Sequence, residues 1–511
     1  MLNVWHPMPM RYLCLALLIF AVPCVAQTNE VRTAALVARL RADPAALRIL
    51  LAQMPKGGDL HHHLDGSVWA EDLLKWADAD GACLDAKTHA ITPAPCTGAQ
   101  VAARDLMTRD PKFYQASIDA LSMRNFVPGL GTGEISGHDH TFAAFPAMGG
   151  TVALHLGEAL AASRTQAALD HVQYMEEMTD PAVAFAPGLL GSPPEFNPGD
   201  FAADQRALAP RLGALVGSAR LQYDAAEARM RSELACGTAV AAPGCAVTVR
   251  YLYFVVRTLP PPQVFAQIAL GYALVAADPR FVGINLVAPE DDPGALRDFA
   301  LQMRMFQYFH ARQPAVKLSM HAGELWLGLV QPSALGFHIR DTVEIAGAAR
   351  IGHGYELPFE RDADTLLKEM AAKHIAVEIN LTSNDVTPGV KGGEHPLHTY
   401  MKAGVPWSLS ADDEGIFRID LTHEYVRAAL EQRLTYADLK ASARNGLTYS
   451  FLPGASLWAP GPGFRPVAEC VHGGPACDAF LRGSEKATLQ ARLEAAFSVF
   501  EAKAAGGGFP L

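Results

Sequence analysis

Four short segments of the chain carry histidines and carboxylates at spacings that could hold a metal ion and transfer protons. They contain His61, His63 and Asp65, then His321 and Glu324, then His353, and last Asp412 and Asp413. Side chains alternate across a strand, so His61 and His63 would face one way and His62 the other. Because neutral imidazoles and a carboxylate are typical zinc ligands, these segments predict a divalent metal site.

The elements that would position these residues are short apolar runs separated by longer helical ones. The runs lie at 58–63, 171–177, 247–256, 281–287, 315–321, 350–354, 375–381 and 407–411. Eight such alternations predict a (β/α)8 barrel of the TIM type with loop insertions. One of these insertions, 187–210, is rich in proline and is predicted to form a loop. Chemistry in this fold sits at the carboxyl ends of the strands. His61 and His63 would end the first strand, His321 the fifth, His353 the sixth and Asp412 the eighth.

Composition and charge restrict the partners that the protein can have. The chain has 511 residues, half of them apolar, and a formal net charge of −11. It has no long run of Lys or Arg, which argues against nucleic acid and against anionic membranes as partners. A small-molecule substrate fits this composition better.

The N-terminus and the cysteines predict an exported protein. Residues 1–26 resemble a secretory signal peptide, in which Arg11 precedes an apolar run and small residues precede a cut near Gln27. Residues 27–511 would then form a single barrel domain with an N-terminal helical segment and a C-terminal helical extension. Proximity predicts three local disulfides in an oxidising periplasmic or extracellular compartment: Cys83 with Cys96, Cys236 with Cys245, and Cys470 with Cys477.

Taken in order, the four segments resemble the motifs of the adenosine deaminase family of metal-dependent hydrolases. The resemblance covers roughly residues 54–453 and ends with a segment from Asn445 to Pro453. The signal peptide, cysteine pairs and insertions are more similar to the secreted, growth-factor-related branch. The resemblance implies a (β/α)8 barrel, one Zn²⁺ per chain, and hydrolysis of adenosine and 2'-deoxyadenosine to inosine and 2'-deoxyinosine plus ammonia.

The resemblance also implies a role for each site residue. Glu324 would protonate purine N1 as water adds to C6, and His353 would take the proton of the water or hold the hydroxide. Asp413 would contact N7 and Asp65 the ribose. Ala288 stands where the family has a glycine whose backbone N–H meets N3; its methyl group and the following proline could reshape the pocket. The implied zinc ligands are His61, His63, His321 and Asp412.

Two other functions compete with this interpretation. One is a related aminohydrolase that acts on another 6-substituted purine or on a nucleotide. The other is a catalytically silent nucleoside-binding or signalling protein, which would not need the proton-transfer pair Glu324 and His353. The stretch 27–54 is too short for the extra dimerisation domain of the animal members of the secreted branch, so a growth-factor role is unsupported.

Other histidines and acids have simpler interpretations. His62 is expected to be a hydrogen-bonded structural residue. His138 and His140 repeat the spacing of the first motif but follow a glycine-rich loop, so we expect them in a pocket lid rather than at a metal, together with Phe126, Phe142 and Phe145. Glu176 and Glu177 end a predicted strand, where they would reach the barrel mouth or solvate a loop.

Overall fold

Eight parallel strands curve into a barrel in which each strand pairs with its neighbours along the chain. The computed structural model describes residues 28–129, 135–186, 189, 196–461 and 463–509. In chain order the barrel strands are β1 Gly57–His63, β5 Val172–Thr179, β6 Thr248–Val256, β7 Phe281–Val287, β8 Lys317–Ala322, β9 Arg350–His353, β10 Ala376–Ile379 and β11 Trp407–Leu409. A separate antiparallel sheet contains β2 Cys83–Asp85, β3 Ile91–Thr92 and β4 Gln100–Ala102. The predicted barrel is confirmed, and its strand boundaries lie within two residues of the predicted ones.

The barrel is closed by residues of the first and last motifs. His62 and Asp412 form a parallel bridge, in which the Asp412 N–H donates to the His61 carbonyl at 3.0 Å and the His63 N–H donates to the Asp412 carbonyl at 3.3 Å. The Asp59 carboxylate reinforces the seam because it accepts the backbone N–H groups of His61 and Ala411, both at 3.2 Å. Closure of the barrel therefore brings the first and eighth barrel strands together at the predicted site.

Helices surround the barrel and fill the insertions. In the first half they are Asn29–Leu40, Pro44–Ala52, Leu64–Ser67, Ala70–Ala79, Leu106–Arg109, Pro111–Ala120, Gly137–Ala147, Thr151–Leu154, Leu156–Leu169 and Phe201–Glu233. In the second half they are Pro261–Ala277, Pro293–His310, His338–Asp341, Ala363–Lys373, Leu381–Val386, Leu397–Ala403, Glu414–Phe417, Leu421–Leu430, Tyr436–Thr448, Pro475–Arg482 and Glu485–Ala505. Among the described residues, none of the helices combines the length and apolar character needed to cross a membrane.

The terminal helices pack on one another beside the barrel. Lys440 lies on the helix Tyr436–Thr448 and donates to Glu30 at 2.9 Å and to Glu501 at 2.6 Å. It thereby joins the helix Asn29–Leu40 to the helix Glu485–Ala505, and Val37 and Leu493 are buried between these elements. The main hydrophobic core is one cluster of buried side chains drawn from positions between Val37 and Phe509.

The structure corrects one loop prediction and confirms the disulfides. Residues 187–210 were predicted to form a proline-rich loop, yet the helix Phe201–Glu233 begins inside that range and continues through Pro210. Asp200 caps this helix, and burial of Leu208 and Tyr223 outweighs the hydrogen bond that proline removes. All three predicted disulfides are present. The predicted signal peptide, 1–26, lies outside the described residues.

Candidate active site

The four sequence segments meet at the carboxyl end of the barrel. His61 Nε2 and His63 Nε2 lie 3.5 and 3.4 Å from Asp412 Oδ1, and His63 Nε2 lies 3.1 Å from His321 Nε2. Ligand atoms of His61, His321, His353 and Asp412 lie within 4.8 Å of one another. The structure thus brings together all four residues predicted as zinc ligands, with the predicted proton-transfer residue His353 beside them.

Hydrogen bonds on the far side of the His61 ring direct its lone pair into the cluster. His61 Nδ1 lies 2.8 Å from Glu378 Oε2, and the other Glu378 oxygen accepts from Ser319 Oγ at 2.7 Å. Burial opposes ionisation of Glu378, but the Arg350 guanidinium and His61 outweigh it and lower the Glu378 pKa to about 2. An ionised carboxylate only accepts, so His61 donates from Nδ1, and in the neutral form of the ring, the form that binds a metal, Nε2 carries a lone pair.

The His321 ring is held in the same way by an amide. Asn285 Oδ1 accepts the backbone N–H of His321 at 3.3 Å and its Nδ1–H at 2.7 Å. The His321 Nε2 lone pair therefore faces His63, and the buried His61 Nε2 has no hydrogen-bond partner among the described residues. Both rings can reach one ion, because zinc–nitrogen bonds measure roughly 2.0–2.1 Å. Convergent imidazole lone pairs beside a carboxylate fit a zinc ion.

Two motif glycines leave room for the site residues. A Cβ at Gly66 would lie 1.7 Å from Asp413 Oδ1, and a Cβ at Gly352 would lie 2.7 Å from the His61 ring. Both distances are shorter than any van der Waals contact. Glycine at these positions therefore leaves space for the Asp413 carboxylate, which lines the pocket, and for the His61 ring.

Three residues that line the pocket have a left-handed backbone. Their φ angles are +79° at Ala288, +65° at His353 and +64° at Asp412. This conformation costs roughly 1–2 kcal/mol for a residue with a Cβ, and such strain concentrates at functional sites. The family glycine expected at position 288 would adopt this φ freely. Here alanine adopts it, with its methyl group in the pocket wall.

The cluster lies at the bottom of a largely apolar cavity of about 370 Å³. Glu324 lies in its wall, with Oε1 3.7 Å from His353 Nε2, and burial raises the pKa of this carboxyl group. Asp65 and Asp413 line the same cavity. Burial raises the pKa of Asp65 to about 6, and burial and Asp412 raise the pKa of Asp413. A carboxyl group that holds its proton near neutral pH is suited to hydrogen-bond or protonate a ring nitrogen.

A helix over the mouth carries the second His-x-His pair. Phe142 and Phe145 of the helix Gly137–Ala147 line the cavity, whereas Phe126 stacks on His140. His138 Nε2 lies 3.0 Å from Asp291, and His140 Nε2 lies 2.9 Å from the Ser122 carbonyl. Residues two apart on a helix point in different directions, so these histidines serve separate contacts. Phe126 was predicted to line the lid and does not line this cavity.

Glu176 and Glu177 occupy neither of the two positions predicted for them. Both are fully buried within β5, away from the mouth and from solvent. Glu176 pairs with Arg350 at 2.5 Å, and Glu177 pairs with Ser163 on the outer face, where His62 also lies. A buried guanidinium permits a charge inside the barrel, which strand position alone does not reveal.

The sequence interpretation missed the residues that orient the histidines. Glu378, Asn285 and Asn384 each contact the Nδ1 side of a site histidine. Glu378 and Asn285 lie in strands that are otherwise apolar, whereas Asn384 lies on the helix Leu381–Val386. A polar residue in a buried apolar run is a signal that could have identified Glu378 and Asn285, since such groups require buried partners.

The variant Glu378→Gln tests this orienting role. We expect its zinc affinity to fall about 10–100-fold, because an amide holds the His61 ring less firmly than a carboxylate and makes its Nε2 less basic. Competition with a chromogenic chelator measures the change. Glu369→Gln, on the surface helix Ala363–Lys373, is the matched control and should bind zinc as the unmodified protein does. Equal affinities for the two variants would refute the role.

Comparison with known proteins shows sequence similarity to adenosine deaminases. Residues 218–456 match the family model described as adenosine deaminase, a range that includes His321, His353 and Asp412. An adenosine deaminase from Clostridium perfringens (strain SM101 / Type A) is 30% identical over 181 residues, which are 35% of this chain and 51% of that protein. The chain thus spans about half the length of this curated relative.

Solved structures with a similar fold cover most of the chain. An amidohydrolase from Burkholderia ambifaria with bound Zn has a TM-score of 0.54 and 16% identity, covering 90% of this chain and 95% of that one. The apo N6-methyl-AMP deaminase from Arabidopsis thaliana has a TM-score of 0.51 and 19% identity, with coverage of 80% and 94%. At these identities the likeness concerns the fold.

Proposed function

We propose that this chain, a member of the adenosine deaminase family, hydrolyses the 6-amino group of adenosine and 2'-deoxyadenosine. The observation that carries the proposal is the position of Glu324. Its carboxyl group lines the apolar cavity 3.7 Å from His353, next to the convergent lone pairs of His61 and His321. A proton donor, a cluster suited to zinc and an apolar slot together support addition of water to an aromatic ring.

A zinc ion fits His61, His63, His321 and Asp412, where it would act as a Lewis acid that makes water more nucleophilic near neutral pH. The protein groups perform the proton transfers. Glu324 donates a proton to purine N1, which leaves C6 electrophilic. The water oxygen then bonds to C6, the C6–N6 bond breaks, and the amine departs as ammonia. Of the two protons of water, one replaces the proton that Glu324 gave to N1, and the other leaves with ammonia.

The chemistry of the cavity wall supports a nucleoside rather than a nucleotide. Within the described part of the chain the wall contains neither Lys nor Arg, and its titratable residues are histidines and carboxyl groups. The segments 130–134 and 190–195 also contain no Lys or Arg. A phosphate bound there would lose its hydration without gaining a cation. The lack of Lys and Arg in the described part of this wall argues against N6-methyl-AMP, the nucleotide for which the Arabidopsis protein is named, as a substrate of this chain.

A substrate series tests the proposal. Absorbance and ammonia release are followed with adenosine, 2'-deoxyadenosine, AMP, N6-methyl-AMP and adenine on zinc-loaded protein. We expect kcat/KM for the two nucleosides to exceed that for the nucleotides at least about 100-fold, the value of roughly two unpaired buried hydrogen bonds. Comparable rates with AMP would refute nucleoside specificity, and no ammonia from any of these purines would refute the function.

We also propose that the protein is exported and acts outside the cytoplasm. The support is the signal-like sequence at 1–26 together with three disulfides, which persist in oxidising compartments. N-terminal sequencing of the protein from periplasmic and culture fractions should find a chain that begins near Gln27. A chain that keeps Met1 and stays in the cytoplasmic fraction would refute export.

A further inference from the structure

Buried side chains behind His353 form a line of hydrogen bonds that ends at a backbone amide. Asn384 Oδ1 lies 2.9 Å from His353 Nδ1, and Asn384 Nδ2 lies 2.9 Å from His395 Nε2. His395 Nδ1 accepts the backbone N–H of Leu397 at 3.1 Å. His353, Asn384 and His395 are all buried. Every hydrogen bond needs one donor and one acceptor. A group in the line that can only donate therefore determines which atoms of the other groups donate and which accept.

The backbone N–H of Leu397 is the group in this line that can only donate. His395 therefore accepts at Nδ1. Burial is the main cause that lowers the His395 pKa to about 3, so the ring is neutral at physiological pH. A neutral imidazole that accepts at one nitrogen carries its proton on the other. His395 Nε2 is consequently an N–H donor aimed at the Asn384 amide.

A donor on His395 requires the oxygen of the Asn384 amide on its side, where the structure has Nδ2. The two ends of an amide have nearly the same size, so half a turn of the group exchanges them without displacing a neighbour. The amide nitrogen of Asn384 then faces His353 Nδ1 and donates to it. Asn380 Nδ2, 3.4 Å from the same ring nitrogen, approaches as a second donor.

We propose that Asn384 and His395 are positioning residues that keep the proton of neutral His353 on Nε2, the nitrogen that faces the site. His353 Nε2 lies 3.7 Å from Glu324 Oε1 and 3.8 Å from Asp412 Oδ2. A protonated nitrogen has no lone pair for a metal. His353 is thereby excluded from the ligand set, whereas His61 and His321, which donate from Nδ1, remain in it.

This tautomer assigns the group that accepts the proton of water, an assignment that rests on the proposed function. His353 donates a hydrogen bond from Nε2–H to the oxygen of the attacking water and cannot accept a proton at that nitrogen. By then Glu324 has given its proton to N1, so its carboxylate accepts the proton that water loses as the water oxygen bonds to C6. The carboxyl group of Glu324 is thereby restored when inosine forms.

Nitrogen-15 NMR of the zinc-loaded protein, labelled in its histidine rings, tests the tautomer directly. A ring nitrogen that carries a proton and one that carries a lone pair resonate in separate regions. The His353 signals are identified by their loss in His353→Asn. We expect a lone pair on His353 Nδ1 and a proton on Nε2. A proton on His353 Nδ1 would overturn the inference.

The measurement is independent of turnover, so the two proposals can fail separately. An active deaminase with a proton on His353 Nδ1 would refute only the tautomer. A protein with the expected tautomer that releases no ammonia from any purine would refute only the function.

The variant Asn384→Asp supplies a kinetic readout. A carboxylate accepts at both ends, so it should move the His353 proton to Nδ1. We expect the His353 spectrum to switch and kcat to fall roughly 10–100-fold, with KM changed less than about twofold. The exposed variant Asn125→Asp is the matched control and should change neither. A lower kcat with an unchanged His353 spectrum would mean a merely structural role and would overturn the inference.

Discussion

Replacing Glu324 by glutamine should lower kcat for adenosine by roughly 10²–10⁴-fold while leaving zinc content and KM nearly unchanged. The substituted amide keeps the shape of the side chain but cannot release a proton to N1. The buried position of Glu324, which raises its pKa, suits the unmodified carboxyl group to that transfer. Stopped-flow absorbance at saturating adenosine, combined with metal analysis of the same sample, measures the effect.

The control for this variant is Glu394→Gln, the same change at an exposed position. It should leave kcat within about twofold of the unmodified enzyme, as surface substitutions usually do. Full activity of Glu324→Gln would rule out Glu324 as the proton donor. A parallel loss of zinc would show instead that the carboxylate supports the metal site.

The second large effect is expected from two adjacent histidines of β1. His61→Asn should lose the zinc ion, because the Nε2 lone pair of His61 points into the cluster, and activity should fall roughly 100-fold or more with it. His62→Asn should keep one zinc per chain, because His62 faces Ser163 and Asp59 on the outer side of β1. Metal analysis after gel filtration and ammonia release measure both.

His62 is a demanding control because it is buried as deeply as His61. We expect His62→Asn to lower the free energy of unfolding by about 1–3 kcal/mol through lost hydrogen bonds, without loss of the metal. Chemical denaturation measures that change. Retention of zinc by His61→Asn, or its loss from both variants in proportion to unfolding, would contradict the assignment of ligands by strand face.

The histidines of β1 show how much of the site could be predicted from the sequence pattern of a single strand. Alternation along a strand separates His61 and His63 from His62 because side chains two apart share a face, whatever the rest of the chain does. The carboxyl-end rule then groups them with His321, His353 and Asp412, and the structure brings these residues together. Distant orienting groups were missed, since Glu378 lies 317 residues from His61.

Predictions were wrong where contacts with distant parts of the chain outweigh the preference of a residue for solvent or for a loop. Glu176 and Glu177 were expected at the mouth or in solvent because carboxylates avoid burial. Arg350, which arrives on a different strand, pairs with Glu176 and makes its burial tolerable. The segment 187–210 was expected to form a loop because of its proline content, but packing of the helix Phe201–Glu233 outweighs the hydrogen bond that Pro210 removes.

By itself, the sequence determined the strands, the neighbouring cysteine pairs and the kinds of groups at each strand end. These depend on periodicity and on short separations along the chain. Only the tertiary structure decided which nitrogen of each histidine faces the site, because that depends on Glu378, Asn285 and Asn384, which lie on other strands and on a helix. It also decided that the bridge between His62 and Asp412 closes the barrel. Barrel closure and the candidate metal site therefore depend on the same two segments, which lie at opposite ends of the sheet order and meet when the barrel closes.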